Sequence, residues 1–107
     1  MKTLKFRESL SKLILQGEKN TTWRLFDDKN LSEGDIISFL VGEKKEEFAK
    51  AKLIEVKETI FGKLTDKDWD GHEKFLSDEE MYKTYSKYYN CQVDKNNPVK
   101  IIKFELL

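Results

Sequence analysis

The sequence predicts a small α+β domain in which five or six short strands close partly into a barrel, with helices inserted near both ends. Three observations lead there. The 107 residues have room for one hydrophobic core and no more. Apolar residues alternate with polar ones in short runs, most clearly at the two ends of the chain. Two segments replace that alternation with helical spacing, one after the first run and one before the last.

The elements follow in order. Lys2–Phe6 alternates Leu4 and Phe6 with polar residues and reads as a first strand. Phe6, Leu10, Leu13 and Ile14 then fall at helical spacing, and Gly17 is a natural stop. Thr21–Phe26, rich in β-branched and aromatic residues, reads as a second strand closed by Asp27-Asp28. Gly34 and Asp35 introduce a third strand, Ile36–Val41, and the polar run Gly42–Glu47 is a turn or loop. Phe48–Phe61 is long enough for one bent strand or two short ones. Thr65 with Asp68 is a weak helix start, with Leu64 placed to staple Trp69. Ser77 with Glu80 is a better capping box, and Leu76 and Met81 are spaced as its hydrophobic staple. Met81, Tyr85, Tyr88 and Tyr89 share one face of that helix, which Asn90 can end. Pro98 precedes a closing strand, Val99–Leu106, predicted to share a sheet with the first.

Composition sets further bounds. Charged residues make up 37% and apolar residues 38%, which suits a small globule with a large wet surface. The 12% aromatic content argues against disorder. No apolar run approaches the roughly 18 residues that cross a bilayer, so no membrane partner is expected. Patterned sequence begins at once after Met1, so no signal peptide is expected, and Cys91 has no second cysteine to pair with. Together these predict a reducing, cytoplasmic setting.

Net charge is zero but unevenly spread. Residues 1–24 hold six Lys/Arg against two Glu, a balance of +4. Residues 25–80 hold nine Lys against sixteen acids, or −7, and residues 81–107 hold five Lys against two acids, or +3. If the chain ends lie together, they make a basic face that permits phosphate contact. Nothing matches the basic stripe of a duplex-DNA binder, so none is expected as a partner.

Chemistry is centred on Gly17-Glu-Lys-Asn-Thr-Thr-Trp-Arg24. Thr22 and Arg24 share a strand face, and Lys19 reaches Thr22 only if residues 17–20 turn, which Gly17 allows. A Thr hydroxyl is a poor nucleophile until a base takes its proton. A desolvated Lys beside another cation such as Arg24 can be that base. The plain alternative for such a pattern is a solvated strand face or ordinary ion pairing, and for Trp23 and Trp69 it is core packing.

The run Gly-x-Lys-x-x-Thr-x-Arg, followed by Asp27-Asp28 and Gly34-Asp35-Ile36, resembles the ASCH domain of the PUA-like superfamily. Phe48-Ala-Lys-Ala, Phe61-Gly-Lys-Leu-Thr, Trp69-Asp-Gly-His-Glu and Val99-Lys-Ile-Ile-Lys-Phe fit in the same order, so the resemblance spans residues 1–107. It implies a small PUA-like β-barrel with a helix-flanked cleft and an association with RNA or modified nucleosides. Some small members are amidohydrolases that remove the acetyl group from N4-acetylcytidine, using a Lys as proton acceptor, a Thr three residues on as nucleophile, and a downstream Glu as proton donor. Lys19 and Thr22 match the first two. Glu73 is the nearest glutamate for the third, and Asp70 is the other acidic candidate. On that scheme Arg24 or a backbone donor steadies the oxyanion, and Trp23, Trp69 or Asp70 contacts the substrate. The same pattern also fits a non-catalytic module that binds RNA or a nucleotide.

Other residues yield less. His72 is the only histidine, without partners for a zinc site, and reads as a surface or cleft residue. Cys91 reads as a partly buried thiol after a helix end. Tyr82, Tyr85, Tyr88 and Tyr89 with Lys83 and Lys87 suit stacked bases or an amphipathic helix packing Met81 and Tyr85 inward. Isolated Gly62 and Gly71 make no phosphate loop, and neither metal nor cofactor is expected.

Overall fold

Alternation at the two ends of the chain becomes strand at both ends. The computed structural model describes residues 1–107. In chain order it forms β1 (Thr3–Phe6), α1 (Glu8–Leu15), β2 (Thr21–Arg24), β3 (Ile36–Val41) and β4 (Glu46–Ile60). A 3-10 turn (Phe61–Lys63), α2 (Asp66–Trp69), α3 (Asp78–Tyr89) and β5 (Pro98–Leu106) complete it. The five strands make one mixed sheet in the order β1-β3-β4-β5-β2, curled into a half-barrel. β1 pairs parallel with β3, and every other pair is antiparallel. The first and last strands therefore share a sheet, as their alternation predicts, with β3 and β4 between them.

β4 is one strand of 15 residues rather than two. Its register slips against β3 between Phe39 and Leu40 and against β5 between Leu53 and Glu55. The second slip extrudes Ile54 to solvent. Such bulges increase local twist, which lets one long strand serve both halves of a curled sheet.

Two apolar clusters make up the core. Leu4, Phe6, Ile14, Ile37, Phe39 and Leu53 belong to one, in which Phe39 meets Phe6 and Phe104 with ring centroids 4.8 Å apart. Trp23, Phe61, Met81, Tyr85, Val99 and Ile101 belong to the other. β5 feeds both, since Ile101 and the adjacent Ile102 point to opposite faces and both are buried.

Helix ends follow local chemistry with two departures. The Thr65 hydroxyl and the Asp68 carboxylate form a complete capping box on α2. On α3 the Ser77 hydroxyl accepts from the Glu80 N–H at 3.1 Å, the one half of the expected box that forms. Asn90 ends α3 in the left-handed conformation at φ 51°. The staple predicted from Leu76 is absent: Leu76 is fully exposed, while Phe75 packs against the second cluster. Neighbours in extended chain face opposite ways, so only one of the pair can turn inward. β2 also stops at Arg24, two residues earlier than predicted, because Phe26 takes φ 53° and turns its ring out. Cys91 is exposed rather than partly buried. No helix is long and apolar enough to cross a membrane.

Candidate functional site

The turn after α1 decides where Lys19 goes. Gly17 sits at φ +80°, and the N–H groups of Glu18 and Lys19 both donate to the Leu13 carbonyl, at 2.9 and 3.2 Å. That fold-back delivers Lys19 into the interior, where its side chain is 1% exposed. Its Nζ donates to the Thr21 carbonyl at 2.7 Å and to Glu73 Oε1 at 2.5 Å. The partner lies 54 residues away in sequence.

Gly71 brings that partner in. Its carbonyl accepts from the N–H groups of Asn20 and Thr21, at 2.9 and 3.1 Å, joining the segment after α2 to the start of β2. Gly71 has φ +78°, and a Cβ there would lie 1.7 Å from Asn20 Oδ1. The positive φ favours glycine here, and a larger residue would also have to displace the Asn20 side chain. Glu73, two residues on, is thereby set against Lys19.

The two threonines part company. Thr21 Oγ1 donates to the Asp70 carbonyl at 2.6 Å and accepts from Lys103 Nζ at 3.2 Å, so its hydroxyl is spent on structure. Thr22 lines a cavity of about 610 Å³, and its hydroxyl meets no protein partner within hydrogen-bond reach. Glu73, Arg24 and Tyr85 share that wall. Lys19 lies behind the wall, in contact with Glu73.

Arg24 spans the open side of the half-barrel. From β2 its Nη2 donates to the Lys5 carbonyl of β1 at 2.8 Å, and its guanidinium lies 4.7 Å from the centroid of the Phe6 ring. The two edge strands of the sheet thus meet through one side chain. Arg24 Nε is the one buried side-chain polar atom without a hydrogen-bond partner. An orphaned buried donor calls for an explanation.

Other predicted residues are placed differently. Trp23 touches the cavity but is packed into the core, stacked on His72 at 3.8 Å and edge-on to Trp69 at 4.6 Å, with Nε1 donating to the Asp68 carbonyl. Trp69 borders a separate shallow surface with Lys74 and Phe75. The Asp70 side chain does not reach the cavity, and its carbonyl holds Thr21.

His72 is buried, neither at the surface nor in the cavity wall. The expectation failed because a lone His in a polar stretch gives no sign of the Trp23 ring waiting for it. His72 Nδ1 lies 2.8 Å from the Glu73 carbonyl, which can only accept, so Nδ1 carries the proton. Nε2 is left to accept from the Tyr85 hydroxyl at 3.3 Å. Burial, reinforced by the Lys19 charge, pushes the His72 pKa down to about 3, so the ring is neutral.

Burial also lowers the Lys19 pKa, with Arg24 adding to that effect against the opposing pull of Glu73. Burial alone would raise Glu73, but His72 and Lys19 outweigh it and hold the carboxyl below its ordinary value. Both groups thus sit below their ordinary pKa values, and Lys19 donates to the Glu73 carboxylate across a short contact.

His72 makes stability depend on pH. As pH falls below 6.5 the unfolded chain protonates its histidine, whereas the folded chain refuses that proton until about 3. The unfolded state then binds more protons, and stability falls with pH. Between 6.5 and about 5.5, above the carboxylate range, His72 is the main contributor. The expected slope approaches about 1.4 kcal/mol per pH unit well below 6.5. Urea melts across that window should slope for the wild type and be flat for His72→Gln. Equal slopes for both proteins would refute the assignment.

Several solved structures share this fold. The hypothetical protein PH0355 is 27% identical, with a TM-score of 0.75 and all of both chains covered. The protein EF3133 from Enterococcus faecalis, of family DUF984, is 17% identical with a TM-score of 0.75, covering 92% of this chain and 67% of its own. The ASCH domain from Lactobacillus crispatus is 14% identical with a TM-score of 0.67, covering 90% of this chain and 69% of its own. The chain shares the fold of solved ASCH-domain structures. No family sequence model matches it, and no curated protein does. At these identities the ASCH likeness is a likeness of fold, carried by backbone path more than by shared side chains.

What the sequence reading missed in this ASCH fold is the support around the pair: Gly71, His72 and Tyr85. Gly71 alone left a signal, a lone glycine two residues before the candidate acid.

Proposed function

We propose that the cavity is an acyl-transfer site acting on a modified nucleoside or RNA, with hydrolysis of the N4-acetylcytidine amide as its reaction. One observation carries the proposal: the Glu73 carboxylate, 2.5 Å from the buried Lys19 Nζ, lines the same cavity wall as a Thr22 hydroxyl without a protein partner. Moving one proton from Lys19 to Glu73 yields a neutral amine and a neutral carboxylic acid, the two forms that amide cleavage needs.

The amine takes the Thr22 proton as Oγ1 attacks the acetyl carbon. The Arg24 guanidinium, whose Nε has no protein partner, steadies the oxyanion. Glu73 then protonates the departing N4 amino group as the C–N bond breaks. This leaves acetyl-Thr22, free cytidine and the original ammonium–carboxylate pair. Water cleaves the ester, releasing acetate and restoring the hydroxyl. A cavity of about 610 Å³ falls in the range of small-molecule sites and suits one nucleoside.

The test is incubation of purified protein with N4-acetylcytidine and chromatography of the products. Cytidine and acetate are expected in equal amounts over many turnovers. No turnover, together with cytidine-nucleotide binding that Arg24→Ala removes, would replace the enzyme with a binding module.

A further inference from the structure

The cavity wall carries more positive charge than the chemistry uses. Lys5 and Arg7 approach from β1 and its end, Lys87 from α3, and Arg24 from β2. None of the four has a carboxylate within ion-pair distance, although five other lysines of the chain do. The wall's only acids are Glu43 and Glu73, and Glu73 is matched by Lys19 behind it. Five cations against two acids leave +3 around one cavity in a protein whose net charge is zero. Like charges gathered at one concave surface raise the energy of the empty site and favour an anion there. Lys5, Arg7 and Lys87 are exposed at the mouth, while Thr22 and Glu73 lie within, so the anionic group belongs at the rim. Arg7 is also held in place, with its guanidinium 4.3 Å from the centroid of the Tyr88 ring.

We infer that the cavity is built for a nucleoside monophosphate, with the nucleoside inside and the phosphate held at the rim by Lys5, Arg7 and Lys87. This rests on the nucleoside reading of the site but not on its catalysis. A phosphate carries close to two negative charges and several strong acceptors, which matches unpaired guanidinium and ammonium donors far better than a neutral ribose does.

Calorimetric titration of the whole chain with cytidine, cytidine 5′-monophosphate and inorganic phosphate tests it, with N4-acetylcytidine turnover measured on the same sample. The monophosphate should bind roughly tenfold more tightly than cytidine, and the preference should shrink as salt screens the rim. Lys5→Glu with Lys87→Glu should bring the ratio of the two affinities to about one or below. Lys52→Glu, an equal charge change per site on exposed β4 outside the wall, should keep it. Equal binding of cytidine and its monophosphate by the wild type would overturn this inference and leave the hydrolase reading standing. Inorganic phosphate binding as tightly as the monophosphate would also overturn it, by showing a site for the free anion. A tenfold preference without turnover would support it and remove the hydrolase. Binding of neither nucleoside nor nucleotide would overturn both.

Discussion

Thr22→Ala is expected to lower the rate of cytidine release by about a thousandfold or more, while Thr22→Ser keeps a measurable fraction of it. Alanine removes the attacking oxygen, whereas serine keeps it and loses only a methyl group. The comparison is clean because the Thr22 hydroxyl makes no hydrogen bond in the folded protein, so its loss takes nothing from the scaffold. Thr21→Ala should do the reverse. Its hydroxyl ties β2 to the Asp70 carbonyl and to Lys103, so stability should fall while chemistry persists. Steady-state rates and urea melts on the three variants decide the matter. Full activity in Thr22→Ala would end the nucleophile assignment, and inactivity in a folded Thr21→Ala would transfer it to the neighbour.

Glu73→Ala should destabilise the fold by roughly 3 kcal/mol or more, since breaking a buried pair strands the other charge. The pair is asymmetric: the Lys19 side chain is 1% exposed and that of Glu73 is 21% exposed. Stranded Lys19 has no route to water, whereas Glu73 left alone by Lys19→Met can hydrate. Lys19→Met should therefore cost distinctly less, even though it gives up the bond to the Thr21 carbonyl. Denaturant midpoints for the two variants measure the difference. Equal losses would mean that Lys19 is already solvated through the cavity. For activity the better probe is Glu73→Gln, which keeps a hydrogen-bonding partner for Lys19 and removes only the transferable proton.

Arg24 shows why the site was partly legible and partly hidden. Its spacing from Thr22 places both on one strand face, which follows from the period of two and is visible in the sequence. That its guanidinium lies over Phe6 and bonds the Lys5 carbonyl depends on the curl of the sheet, a summed effect of twist and two bulges in β4. Glu73 is similar. The choice between it and Asp70 turns on the one peptide group at Gly71 that clamps the two segments, and no count along the chain measures that.

By itself the sequence determined the local elements and their order. Alternation gave the strands of both ends, Gly17 the turn that sends Lys19 inward, Thr65 and Ser77 the helix starts, and Asn90 the end of α3. These are short-range effects, set by torsional preference and by hydrogen bonds spanning a few residues. The tertiary structure alone decided that Phe75 rather than Leu76 turns inward, that His72 is buried against Trp23, and that Lys19 meets an acid 54 residues away. Each of those outcomes depends on what packs opposite. Which side chain occupies that space is fixed by chain path and close packing over long separations, not by the residues on either side.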